Sequence, residues 1–77
     1  MKTINANNFI VIANWAGQWA RGESLDFAMM TLRRMLPLRC TGPVNVYASD
    51  AYIWCDSEGN VTASEDHQLV KFVIQAH

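Results

Sequence analysis

The stretch from Ser24 to Leu36 constrains the fold more than any other part of this chain. Ser24 is suited to cap a helix, because its hydroxyl can accept from a backbone N–H that has no partner within the helix, and Asp26 adds negative charge in the first turn. Leu25, Ala28, Met29, Leu32, Met35 and Leu36 recur at helical spacing and form one apolar face. Arg33, Arg34 and Arg39 cluster at or just beyond the C-terminal end, where the helix dipole favours cations, and Pro37 prevents a clean continuation. A helix with one apolar stripe has to bury it against another layer, and the rest of the chain must supply that layer.

The remaining elements read mostly as strands. Phe9 to Ala13 is apolar on both alternating faces, as expected of a strand that is central or covered on both sides. Asn14 to Glu23 reads as a distinctive loop. Gly17 and Gly22 mark turns or close approaches, and Trp15 and Trp19 are spaced so that a helical turn would stack them on one side. The favoured reading is a hairpin or wrap whose tryptophans close the edge of a small core; the alternative is a binding loop carrying both tryptophans and Arg21.

After the Gly42-Pro43 break, Val44–Ala48 and Ala51–Cys55 alternate around Ser49-Asp50. Read as a two-residue hairpin, Ala48 faces Ala51, Val46 faces Ile53 and Val44 faces Cys55 on the core side. Tyr47 then lies opposite Tyr52, and Asn45 opposite Trp54, on the other side. Asp56 to Asn60 forms a second turn, and Val61–Ala63 a short returning strand. Ser64 is suited to cap a final helix, with Glu65 and Asp66 in its first turn and Leu69, Phe72, Val73 and Ala76 as its stripe. The β-forming content of Val70, Phe72 and Ile74 argues for a strand instead. The favoured architecture is a single small two-layer α+β domain over residues 1–77, ordered β-α-β-β-(β)-α, with a mostly antiparallel sheet packed against two helices.

At 77 residues and 51% hydrophobic content the chain is too apolar for disorder and long enough for one modest core. Its net charge of −1 gives no overall electrostatic case for duplex DNA or an anionic membrane. The charge is uneven, however. Lys2, Arg21, Arg33, Arg34 and Arg39 dominate through Gly42, whereas only Lys71 opposes Asp50, Asp56, Glu58, Glu65 and Asp66 thereafter. The favoured reading of this split is two solvated surfaces; the alternative is that the halves complement each other in an oligomer. Cys40 and Cys55 are too few for a disulfide scaffold and read as reduced thiols in a cytoplasmic protein. No secretory leader or membrane span is expected, because the apolar run at Phe9 is short.

Catalytic and metal chemistry find little support. Cys40, Cys55, His67 and His77 have no metal-ligand spacing, so no metal is expected, and the dispersed glycines make no phosphate loop, so no cofactor is expected. An enzyme would need a pocket joining Cys40 or Cys55 to His67, and the carboxylates show no convergent pair. The expected function is non-enzymatic: a small protein-binding regulator, inhibitor or accessory subunit, with self-association as one form of partner and no membrane. The candidate contact residues are Trp15, Trp19, Arg21, Phe27, Met30, Arg34, Tyr47, Tyr52 and Trp54, aromatic or flexible apolar groups beside arginine. The alternative is single-stranded nucleic-acid binding by a sheet face bearing Tyr47, Tyr52 and Trp54. The order helix, strands, helix is similar in outline to double-stranded-RNA-binding domains, but Ser64, Glu65 and Asp66 open the second helix in place of a lysine cluster.

Overall fold

In the computed structural model, which describes residues 6–37, 39, 41–63 and 69–76, Asn8–Ala13 forms strand β1 and Gln18–Gly22 forms β2. The 3-10 turn Asn14–Ala16 joins them and closes at Gly17, whose φ of 63° is the left-handed conformation that glycine adopts without a Cβ clash. Helix α1 spans Leu25–Met35. It is followed by β3 (Gly42–Ser49), β4 (Ile53–Cys55), β5 (Val61–Ala63) and β6 (Val70–Ala76).

β1 pairs with β2 and β3, and β3 pairs with β6, all antiparallel, giving the order β2-β1-β3-β6. Thus β2 and β3 run parallel with β1 between them, and α1 is the crossover that connects them. β4 and β5 form a separate antiparallel hairpin.

The helix follows from its sequence. The Ser24 hydroxyl accepts from the Phe27 N–H at 3.1 Å, capping the first turn. At the other end Leu36 is extended (φ −83°, ψ 146°), as Pro37 demands of the residue before it. Ala28, Met29 and Leu32 are buried, and Leu25 and Leu36 pack against the same core. Met35 departs from the expected stripe: it is exposed at the last position of the helix, while Leu36 beyond it packs inward.

The main sheet has a core on each face. Phe9, Val11 and Ala13 of β1, Ala20 of β2 and Val44, Val46 and Ala48 of β3 meet the helix. Ile10 and Ile12 face the other way and pack against Ile53 of β4, with Tyr47, Cys55, Val61, Ala63 and Leu69 around them. β1 is therefore covered on both sides, which is why it carries an unbroken apolar run.

Three expectations are corrected. First, the β-α-β-β-(β)-α order with two helices does not hold. The order is β-β-α-β-β-β-β, and α1 is the sole α-helix among the described residues. Val70–Ala76 is a strand: Val70, Phe72 and Ile74 are half-buried while Lys71, Val73 and Gln75 are exposed, a period of two. The expected cap at Ser64, with Glu65 and Asp66, lies outside the described residues. Second, β4 does not pair with β3. β1 and β6 occupy both edges of β3, and the chain leaves the sheet at Ser49, whose hydroxyl accepts from the Ala51 N–H at 3.1 Å. Asn8 fixes this departure by donating from Nδ2 to the Ala51 carbonyl at 2.9 Å. Third, Asn14–Glu23 is mostly strand. It is the hairpin reading of that segment, with Ala20 as the one buried side chain of β2.

Candidate functional site

Directly paired residues of antiparallel strands share a face, so Trp19, opposite Ile12, and Arg21, opposite Ile10, project toward the β4–β5 side of the sheet. Ile53 is fully buried and anchors that hairpin to the sheet. Alternation then turns its neighbours Tyr52 and Trp54 outward, where they are 54% and 43% exposed. Their ring centroids are 6.2 Å apart with 27° between planes, a stacked pair. The Arg21 guanidinium lies over the Tyr52 ring, 4.0 Å from its centroid. Arg21, Tyr52 and Trp54 thus form one exposed, ordered cluster built from an edge strand and the hairpin.

Trp19 extends the same side. It lines an open cleft of about 370 Å³ with Ile12, Cys55 and the turn residues Asp56, Ser57 and Glu58. That turn is well defined. The Asp56 carboxylate accepts from the backbone N–H groups of Glu58 and Asn60, both at 2.9 Å, and Gly59 has φ +86°. The Asn60 and Glu58 N–H groups, with the Asn60 side chain, hold the Asp56 carboxyl below its ordinary pKa against a smaller opposing effect of burial. Burial pushes the neighbouring Cys55 thiol up, and the Asp56 charge adds to this, so the thiol is poorly suited to nucleophilic work. Cys40, His67 and His77 lie outside the described residues. Among the described residues no group of three or more His, Cys, Asp or Glu side chains is placed to hold a metal ion.

The other candidate residues fall elsewhere. Tyr47 does not join Tyr52 and Trp54 in a platform: it is half-buried on β3, packed into the core beneath the hairpin, and its ring is overlain by the Lys71 ammonium at 5.4 Å. Trp15 does not stack with Trp19. It lies in the 3-10 turn over the start of β3 and donates from Nε1 to the Pro43 carbonyl at 2.7 Å. A Cβ on Gly42 would stand 2.5 Å from the Trp15 ring, so glycine makes room for the indole. Phe27, Met30 and Arg34 lie along the outer side of α1, in the helix layer. Phe27 and Met30 are 56% and 48% exposed, and the Arg34 guanidinium reaches the Met30 sulfur at 3.8 Å. Neither tryptophan of the first hairpin folds over them.

The candidate residues therefore fall into two groups, Trp19–Arg21–Tyr52–Trp54 on the hairpin side and Phe27–Met30–Arg34 on the helix, with Trp15 and Tyr47 in structural positions; the groups meet at the end of β2, where Arg21 and Phe27 line one open cleft of about 810 Å³ with Asn8, Gly22, Glu23 and Ser24. Lys71 and Val73, expected on a final helix, are instead exposed side chains of a strand. Both sit on β6, whose alternation was the available signal but is hidden when the segment is read as a helix.

No protein-family model, curated protein or solved structure matches the chain. Among the described residues no helix is long and apolar enough to cross a membrane.

Proposed function

We propose that this is a small, non-enzymatic protein-binding module of the cytoplasm, acting as a regulator, inhibitor or accessory subunit. The observation that carries this reading is the exposed stack of Arg21, Tyr52 and Trp54. Tyr, Trp and Arg dominate the energetics of protein interfaces, and these three are already held in place before a partner arrives, which reduces the ordering entropy lost on binding. Trp19 widens the contact on the same side. The test is affinity capture from the native cell with the wild-type chain and with Trp54→Ala and Tyr52→Ala. A specific protein partner lost with either substitution supports the reading. A set of captured proteins unchanged by both substitutions rejects it.

A second reading uses the same rings. Tyr52 and Trp54 present π-faces on which single-stranded bases can stack, with Arg21 beside them for a phosphate. Asp56 and Glu58, at the turn that closes the same hairpin, oppose a polyanion. Titration of generic single-stranded RNA and DNA separates the readings: salt-dependent binding lost with Trp54→Ala favours nucleic acid, and no binding at low salt rejects it.

A further inference from the structure

The four-stranded sheet ends in two edges of different character. β2 has five residues, and the arginine at its outer position is drawn over Tyr52. β6 has seven residues and pairs with β3 without interruption from Val70 to Ala76. Among the described residues no strand pairs with its outer edge. A free edge exposes a row of backbone N–H and C=O groups, and proteins ordinarily guard it with proline, a bulge or outward-pointing charge. β6 contains no proline, and its register shows no bulge. Its single charge, Lys71, leans over the Tyr47 ring on β3, the neighbour on the inner side, and so does not guard the outer edge.

We propose that this edge pairs with the same edge of a second copy of the chain, antiparallel about Val73, joining two four-stranded sheets into one. An antiparallel edge is self-complementary under a two-fold axis perpendicular to the sheet, the commonest symmetry of homo-oligomers. The side chains fit that register. Phe72 stands opposite Ile74 of the second copy on the helix side, where both are half-buried in the single chain and gain cover. On the hairpin side Val73, 58% exposed in the single chain, meets its own counterpart. Lys71 stands opposite Gln75, so no like charges face each other. Both copies carry α1 on the same face of the joined sheet. This surface lies at the opposite edge from Arg21 and Trp19, and it stands or falls independently of the protein-binding reading of that side.

The test is the solution mass of the full chain by light scattering across a micromolar-to-millimolar titration. The expected result is a concentration-dependent rise to twice the 8.7 kDa chain mass. Val73→Lys places two ammonium groups together at the axis and is expected to weaken the dimer at least tenfold, while Trp54→Ala leaves it intact. Amide exchange on the wild-type chain gives a second reading that needs no variant, in which alternate β6 amides gain protection as the dimer forms. A single-chain mass throughout overturns the proposal. So does an assembly heavier than two chains, a dimer that survives Val73→Lys in a folded variant, a dimer lost with Trp54→Ala, or a dimer whose β6 amides gain no protection.

Discussion

The Arg21 guanidinium carbon lies 4.0 Å from the centre of the Tyr52 ring, joining the outer strand of the main sheet to the segment that leads into the β4–β5 hairpin. The contact spans the boundary between the two sheets, with Arg21 directly opposite the fully buried Ile10. It holds the hairpin at β2 by an electrostatic attraction to the ring face that adds to the apolar packing of Ile53 below.

At this exposure a cation–π contact is worth about 0.5–1 kcal/mol. Arg21→Ala is expected to lower global stability by that amount in a denaturant titration. A larger effect is expected on the ring itself, since Tyr52 loses the group above it and the Tyr52–Trp54 stack loosens. Proton chemical shifts of the Tyr52 ring report this directly. Arg21→Lys retains part of the effect, as a more strongly hydrated cation on the same ring. If Tyr52 shifts are unmoved by Arg21→Ala, the two side chains are not associated in solution.

Gly42 and Trp15 offer a sharper steric test. A methyl on Gly42 would stand 2.5 Å from Trp15 Cε2, so Gly42→Ala has to displace the indole and with it the 2.7 Å hydrogen bond to Pro43. The expected loss is about 1–3 kcal/mol, the usual range for overpacking. In the background of Trp15→Ala the same substitution is expected to be nearly neutral, because the obstructing ring is gone. A double-mutant cycle measures that coupling. Additive effects would show that the indole does not sit on the glycine.

Both relationships are tertiary and invisible in the sequence, whereas the local signals are legible in it. Ser24, Asp26 and Pro37 are local signals with local causes, and the helix begins and ends where they place it. The apolar run of β1 is likewise direct evidence of burial on both faces. β2 was obscured because its outward residues, Trp19 and Arg21, are large, and its one buried residue, Ala20, is small. The hairpin read between Val44–Ala48 and Ala51–Cys55 obeyed the right alternation, and Val44, Val46, Ala48 and Ile53 are all fully buried. They are buried on opposite faces of one sheet, however, and alternation alone does not say which strands compete for an edge. For Val70–Ala76 the helical stripe through Leu69, Phe72 and Val73 and the strand alternation fit the same letters; continuous pairing with Gly42–Ala48 of β3 decides for the strand. Of the contact residues, Arg21, Tyr52 and Trp54 come together through the tertiary fold, which no spacing in the chain reveals.

Ile53 tests whether the hairpin is a separate unit of stability. The core beneath it rests on three buried isoleucines, Ile10, Ile12 and Ile53, whereas the helix-side core has many more buried members. Truncating a fully buried isoleucine to alanine removes about 2–5 kcal/mol. Ile53→Ala is expected to open residues 53–63 locally, so that their amides exchange rapidly while β1 and β3 stay protected. Leu32→Ala, in the helix-side core, is expected instead to raise exchange throughout the chain together. Equal loss of protection everywhere in Ile53→Ala would make the two cores one cooperative unit.

Asp56 gives the hairpin a predictable response to acid. Its carboxylate accepts from the Glu58 and Asn60 N–H groups, and the pKa in the folded chain is lowered from the ordinary value of 3.8. A lowered folded pKa means that the fold favours the ionised form. The stabilisation is fully present above the unfolded-state pKa and is lost as pH falls through the folded one. Local protection of the β4–β5 turn is therefore expected to be level near neutrality and to fall only in strong acid. Carbon NMR of the Asp56 carboxyl is expected to show a midpoint below the ordinary value. Asp56→Asn keeps an oxygen that can accept both N–H bonds but has no carboxyl to titrate there, so it is expected to retain the turn and lose this part of the acid response. Asp56→Ala removes the acceptor and is expected to weaken the turn at every pH. A carboxyl midpoint at or above the ordinary value, or an unchanged acid response in Asp56→Asn, would show that these hydrogen bonds do not govern the hairpin.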